Sequence, residues 1–201
     1  MLVKWIRCGV VDRPGFDRAQ RRWAALREQP GFCGQGGGWS RSQPGVAHLF
    51  GFWDGRRSYD AFMAGPHDGI AAGQEGTFEM LGARLFEHRL DVKVGFQPLF
   101  ADADLLRVAL CKVRPGHADH FTLMQQRVWN PAMAGSPGML RGFFGQDSGD
   151  DFLVLSLWDT ATEHGKYRET AVSRLSERAE LDADVLSVAG DVVDVVGAWT
   201  V

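Results

Sequence analysis

The sequence predicts an α+β fold in which two tandem ferredoxin-like β-α-β-β-α-β units close, within one chain, into one α+β barrel. Three observations predict it. The landmarks of the first half recur in the second in the same order. An apolar run from Leu2 to Val11 ends at Arg13-Pro14-Gly15, and a second, Leu105 to Val113, ends at Arg114-Pro115-Gly116. A helical stretch then stops at Pro30-Gly31 and at Pro137-Gly138, and strand pairs end in Phe52-Trp53-Asp54 and in Leu157-Trp158-Asp159. Within each half, apolar spacing switches between a period of two and a period near 3.6 in the order strand, helix, strand, strand, helix, strand. Finally, helices cover one face of such a sheet only, so the other face needs a partner, which the second copy on the same chain supplies or, if the two units are strung apart, another chain does.

The elements follow in order. The opening strand alternates, with Val3, Trp5 and Arg7 on one face and Leu2, Lys4, Ile6 and Cys8 on the other. Phe16, Ala19, Trp23 and Leu26 recur every three or four residues and give the next helix one apolar stripe. Phe32 to Ser40 reads as a strand in which Gly36-Gly37-Gly38 implies a bulge or a close approach of another backbone. A turn at Ser42-Gln43-Pro44-Gly45 leads into a strand from Val46 to Trp53. Tyr59, Phe62 and Met63 begin a second helical region, interrupted near Gly65-Pro66 and resumed through Ile70 and Leu81, before a fourth strand from Arg84 to Val94. The second half repeats the plan: Ala118, Phe121, Gln125 and Val128 mark a helix, Met139 to Gln146 and Phe152 to Trp158 a strand pair, Tyr167, Ala171 and Leu175 a helix, and Val185 to Val201 the last strand. The expected division is 1–97 for the first unit, 98–104 for a linker and 105–201 for the second unit.

Charge and composition exclude several classes. A net charge of −3 leaves no basic excess to neutralise a phosphate backbone, so nucleic acid is not an expected partner. No window approaches the ~20 consecutive apolar residues of a membrane span, and the first residues lack the apolar core of a signal peptide, so a cytoplasmic protein with no membrane partner is expected. Three widely spaced cysteines, Cys8, Cys33 and Cys111, form neither a disulfide framework nor a zinc pattern and read as small buried hydrophobes.

Side chains that carry chemistry concentrate in the first half. Trp5, Trp39 and Trp53 fall on three strands of one sheet, with Tyr59 close behind. They either fill the core or line an apolar pocket for a flat aromatic ligand. Arg7 shares a face with Trp5; turned inward it needs an anion, and it could stabilise an enolate. His67, beside Asp68, is either a helix-start residue or a general base. His48 and His88 could share a metal only if they face each other on adjacent strands, and no metal-ligand spacing supports one. His117 and His120 read as a helix start. Gly36-Gly37-Gly38 lies inside a strand pair and lacks the Lys-Ser/Thr ending of a phosphate loop, so close backbone packing is the better account.

The paired units, with Trp53-Asp54 and Trp158-Asp159 each followed by a helix, resemble the antibiotic-biosynthesis-monooxygenase-like branch of the dimeric α+β-barrel superfamily. Over residues 1 to about 90 the segments Met1-Leu-Val-Lys-Trp-Ile-Arg-Cys8, Gly31-Phe-Cys-Gly-Gln-Gly-Gly-Gly-Trp39, Phe50-Gly-Phe-Trp53, Tyr59-Asp-Ala-Phe-Met63 and His67-Asp68 resemble the bacterial YdbC-like family of unknown function. The wider resemblance implies either a cofactor-independent oxygenase of aromatic or quinone-like metabolites or a haem-degrading oxygenase. The haem-degrading pattern sets an Asn on strand one, a Trp ending strand three and an axial His on the next helix. Trp53 and His67 match the last two, whereas strand one offers Trp5, Arg7 and Cys8. The resulting expectation is a monooxygenase-like enzyme with His67 and Arg7 catalytic and Trp5, Trp39, Trp53 and Tyr59 binding a small hydrophobic or aromatic molecule. It needs no metal or cofactor, haem being the one candidate, and forms a monomeric pseudo-dimer or a weak homodimer. The alternatives are a non-catalytic small-molecule or haem-binding module and a structural barrel with no ligand.

Overall fold

Eight strands form in the computed structural model, which describes residues 1–93 and 100–201. They are β1 (Leu2–Val10), β2 (Phe32–Ser40), β3 (Val46–Trp53), β4 (Phe78–Asp91), β5 (Leu105–Val113), β6 (Met139–Gln146), β7 (Asp151–Trp158) and β8 (Val185–Val195). All pairings are antiparallel, and the sheet closes on itself in the order β1-β3-β2-β8-β5-β7-β6-β4. Each half contributes four consecutive strands of that ring, β4-β1-β3-β2 and β8-β5-β7-β6. The repeat therefore closes the barrel through two equivalent seams, β2 with β8 and β4 with β6. Among the described residues, closure leaves no exposed sheet edge.

Side chains fill the barrel. Val3, Trp5, Phe50, Phe52 and Phe86 from the first half meet Leu106, Val108, Phe143, Leu155 and Val193 from the second. Each aromatic or aliphatic side chain buried this way stabilises the fold by roughly 1.5–3 kcal/mol. Both halves lose this contribution if separated, which is why neither sheet is complete alone.

Helices cover the outer faces. In the first half, α1 (Arg13–Arg22) is started by Asp12, whose carboxylate accepts from the Gly15 amide at 3.0 Å, with Pro14 in the first turn. A 3-10 turn over Trp23–Glu28 continues it, and α2 (Arg56–Ala64) and α3 (His67–Ala71) follow β3. In the second half, α4 (Ala118–Met124) runs through a π turn at Gln125–Trp129 into α5 (Asn130–Ala134), and α6 (Ala161–Arg178) precedes α7 (Leu181–Asp184). Thr160 caps α6 by accepting from the Glu163 amide at 3.2 Å.

Most expected strands are present, with three differences. The fourth strand begins at Phe78, so Leu81 belongs to it and not to a helix. Strand alternation from Phe78 was masked by Gly82 and by Met80 and Leu81, apolar residues that are exposed. The end placed at Val94, and Pro98 and Leu99 of the expected linker, lie outside the described residues. Phe100, also assigned to the linker, is buried in the barrel against Phe52 at 5.8 Å between ring centres. The last strand stops at Val195, and a 3-10 turn carries Trp199 across to pack on Phe16 and Trp39 of the first half. The cysteine expectation holds for the buried Cys8 and Cys111, whereas Cys33 is exposed.

Candidate active site

β1 presents alternate residues to opposite sides of the wall, and the site depends on that alternation. Its inward face carries Val3 and Trp5. Its outward face carries Leu2, Lys4, Ile6 and Cys8 beneath the helices. A cavity of about 630 Å3 lies there, between the outer face of β1 and β3 and the layer of α1 to α3. That volume lies in the range of small-molecule sites.

Aromatic rings make most of its walls. Trp53, the last residue of β3, stacks on Phe62 of α2 with ring centres 4.9 Å apart and meets the edge of Tyr59 at 6.1 Å. Trp23 and His67 close the far side. The His67 ring lies 5.9 Å from Trp23 and 5.6 Å from Phe62, and its Nδ1 is 2.8 Å from an Asp68 carboxylate oxygen.

Three polar groups in this apolar enclosure lack ordinary partners. Lys4 lies with its ammonium 5.4 Å from the centre of the Tyr59 ring and 3.7 Å from the Met63 sulfur. Burial alone holds its pKa below the usual lysine value, and among the described residues no carboxylate pairs with it. Gln20 is fully buried; its Nε2 donates to Gln74 at 3.2 Å while its Oε1 has no partner. Gln35, on β2, has an unpartnered buried Nε2. A buried amide left unpaired costs about 1–3 kcal/mol. The cavity therefore offers one cation, one free acceptor and one free donor inside an aromatic box. Cys8 also lines it, but burial pushes its thiol up to about 12, so it is no nucleophile near neutral pH.

The structure brings together Trp53, Tyr59 and His67 from the expected set and separates the other three. Trp5 points into the barrel, where it stacks on Phe50 and donates from Nε1 to His48 Nδ1 at 3.2 Å. Arg7 is on that same opposite face of β1 and donates to Gln43 at 3.0 Å. Trp39 packs on Trp199 at 5.1 Å and under the Arg13 guanidinium at 4.0 Å. Period-two alternation explains the first two, since a residue sharing a strand with the cavity wall has even odds of facing away from it. Lys4, Gln20 and Gln35 were missed. The signal for Lys4 was legible: it is the one charged residue on the face shared by Leu2, Ile6 and Cys8.

The remaining histidines resolve into local pairs. β1 lies between the strands of His48 and His88, so these two do not share a site. His48 faces the Asp191 carboxylate at 3.4 Å, and His88 contacts Asp91 at 2.7 Å. His117 and His120 both bond the buried Asp184. The glycine run behaves as close backbone packing: a Cβ at Gly37 or Gly38 would collide with the carbonyl oxygens of His48 and Asp194.

The donor set does not fit the haem-degrading pattern. β1 turns Lys4, Ile6 and Cys8 toward the cavity where that pattern needs Asn. The His67 imidazole is flanked by two rings, and one of its nitrogens is engaged by Asp68.

Comparison with known proteins agrees with this architecture. Residues 2–86 match a family described as a domain of unknown function (DUF4937). The uncharacterized protein YdbC of Bacillus subtilis is 38% identical over 74 residues, which are 35% of this chain; the match spans 62% of that relative's length. Among solved structures, a candidate monooxygenase from Lactobacillus acidophilus superposes with a TM-score of 0.73 at 15% identity, covering 96% of this chain and 93% of that one. An uncharacterized ferredoxin-fold protein related to antibiotic biosynthesis monooxygenases, from Listeria monocytogenes, gives 0.53 at 12% identity, covering 96% and 94%. A heme-degrading enzyme of the same organism gives 0.56 at 10%, covering 96% and 99%. The first half thus resembles YdbC in sequence, and the whole chain shares its ferredoxin-like barrel fold with these solved structures.

Proposed function

We propose that the first-half cavity binds a small, flat, oxygen-bearing aromatic or quinone-like molecule and that the protein is a cofactor-independent monooxygenase of that substrate. The carrying observation is the combination of Lys4, which has no carboxylate partner among the described residues, with the unpartnered Gln20 Oε1 and Gln35 Nε2, inside walls made by Trp23, Trp53, Tyr59 and Phe62. Aromatic walls favour a planar ligand, and the two amides suit a hydroxyl and a carbonyl on its rim.

In this reading His67 takes a proton from an activated ring carbon or hydroxyl, its imidazole oriented by Asp68. The Lys4 ammonium stabilises the resulting enolate or phenolate, a role closed to Arg7, which faces the other side of β1 and donates to Gln43. The electron-rich anion then reacts with dioxygen. One oxygen atom stays on the substrate carbon as a carbonyl, and the other leaves as water with the two hydrogens of the former methylene. Substrate is oxidised by two pairs of electrons and dioxygen is fully reduced, so no external reductant is needed. A cavity of this size argues against the structural barrel with no ligand.

The test is oxygen uptake with an anthrone as substrate. Uptake is expected to fall about 100-fold in His67→Ala and in Lys4→Met. Uptake indistinguishable from wild type in both variants would exclude this assignment, and anthrone binding without oxygen uptake would assign the cavity to a non-catalytic binding module.

A further inference from the structure

A second cavity lies in the other half, at the position the internal repeat relates to the first. It has a volume of about 310 Å3 and sits between the outer face of β5 and β7 and the helices α4 to α6. Phe121, Trp129, Met133 and Tyr167 make its apolar walls. Tyr167 has a buried hydroxyl with no partner. Arg107 of β5 and His164 and Arg168 of α6 stand at one side. The same three residues line an adjoining cleft of about 450 Å3, which Arg41, just after β2, also borders. The apolar chamber and the cationic cleft thus share their polar wall.

Arg41, Arg107 and Arg168 line the cleft against one carboxylate, that of Asp191. Arg107 donates to the backbone carbonyl of Asp191 at 3.0 Å, and a side chain at Gly190 would collide with its guanidinium. Among the described residues neither Arg107 nor Arg168 forms an ion pair with a carboxylate. Asp191 borders the cleft, but its carboxylate is held by the Ser40 hydroxyl, by the Ser42 amide at 3.4 Å and by the Val192 amide at 2.7 Å. Asp194 pairs with Arg41 at 2.6 Å, and Glu163 with Lys166. His164 is buried among the arginines and therefore faces the cleft as a neutral hydrogen-bonding group. Arg107 is largely desolvated, with Asp191 as a charged neighbour but no carboxylate at ion-pair distance, and Arg168 stands exposed beside it, so an anion bound between the two guanidiniums would gain charge-assisted hydrogen bonds from both.

We propose that this is a second ligand site, for an amphipathic anion. Its carboxylate, sulfonate or phosphate sits between Arg107 and Arg168, and its apolar body enters the chamber between Trp129 and Tyr167. The Tyr167 hydroxyl is free to bond a polar substituent on that body. The two cavities are divergent copies. Lys4 stands at the place of Arg107, and Trp53 at that of Trp158. Because Arg41 comes from the first half, the site is complete only in the closed barrel. It is independent of any chemistry in the first cavity.

Two fluorescent probes of similar shape test it in the full chain: 1-anilinonaphthalene-8-sulfonate, which is anionic, and N-phenyl-1-naphthylamine, which is neutral. The anionic probe is expected to bind about tenfold more tightly, with an affinity that falls as salt is raised. Arg168→Gln, on an exposed helix position, and Arg107→Gln are expected to weaken the anionic probe at least fivefold and leave the neutral probe unchanged. Lys4→Met is expected to leave the anionic probe within twofold of wild type. An Arg168→Gln protein with wild-type melting and wild-type affinity for the sulfonate would overturn the proposal, as would equal loss of both probes or loss in Lys4→Met alone.

Discussion

The Lys4 ammonium lies 5.4 Å from the centre of the Tyr59 ring, held by an aromatic face and the Met63 sulfur instead of a carboxylate. A cation supported only by polarizable neighbours keeps its charge available to a ligand. Its cost is visible as a pKa held below 10.5 by burial. The unfolded chain therefore binds more protons than the folded one in the window below that value, and the linked stability rises as pH climbs through it. Lys4→Met removes the buried charge. We expect the variant to melt higher than wild type near neutral pH, with the advantage shrinking as pH approaches the ordinary lysine range. Thermal melts of both proteins across that range check this; an advantage that does not change with pH would contradict it.

Burial and the nearby Arg7 hold His48 at about 4 against the pull of Asp191 in the other direction. Folding thus requires a neutral imidazole. Stability from this residue is complete above the unfolded value of 6.5 and is lost as pH falls toward about 4. The full loss is of order 3 kcal/mol by the conversion of 1.36 kcal/mol per unit. Burial raises Asp191, and the hydrogen bonds from Ser40, Ser42 and Val192 outweigh it, so Asp191 adds its own loss only below 3.8. In His48→Gln, which keeps an acceptor for Trp5, denaturant titrations from pH 7 to pH 4 are expected to show a shallower decline than wild type. His164, held at about 4 mainly by burial, leaves part of that decline in place.

The β2–β8 seam is short, pairing Gly38 with Val195, Trp39 with Asp194 and Ser40 with Val193. A methyl group at Gly38 would strike the Asp194 carbonyl oxygen, whereas one at Gly82 of β4 meets nothing within 4 Å. Gly38→Ala is expected to cost about 1–3 kcal/mol, and Gly82→Ala to be neutral or slightly stabilising. Equal unfolding midpoints for the two variants would show that the seam tolerates separation.

Among the described residues, closure through two seams within one chain leaves no strand edge for a second copy to complete. We expect light scattering to report one chain per particle at micromolar concentration. A stable dimer under those conditions would place a further interface on the helical surface.

Repetition made the fold readable. Arg13-Pro14-Gly15 and Arg114-Pro115-Gly116, Trp53-Asp54 and Trp158-Asp159 punctuate matching elements, and β2, β3, β5 and β6 run over the residues their patterns mark. β4 was harder, because Met80 and Leu81 are apolar yet exposed and hide its start. Half of the candidate site was legible: Trp53, Tyr59 and His67 converge because they follow one another across the β3–α2–α3 connection. Arg7 and Trp5 were placed by strand membership, and facing cannot be fixed until it is known which side of β1 the helices cover. Gln20 and Gln35 carry no sequence signal; only the packed structure shows an amide atom without a partner.

The most direct test of the first-cavity assignment is a titration with a dihydroxyanthraquinone, followed through the tryptophan indole N–H resonances. The account predicts saturable shifts of Trp53 and Trp23, which line the cavity, with Trp5 inside the barrel unmoved and the affinity reduced about tenfold or more in Lys4→Met. Unmoved Trp53 and Trp23 signals at saturating ligand, or affinity unaltered by Lys4→Met, would contradict it.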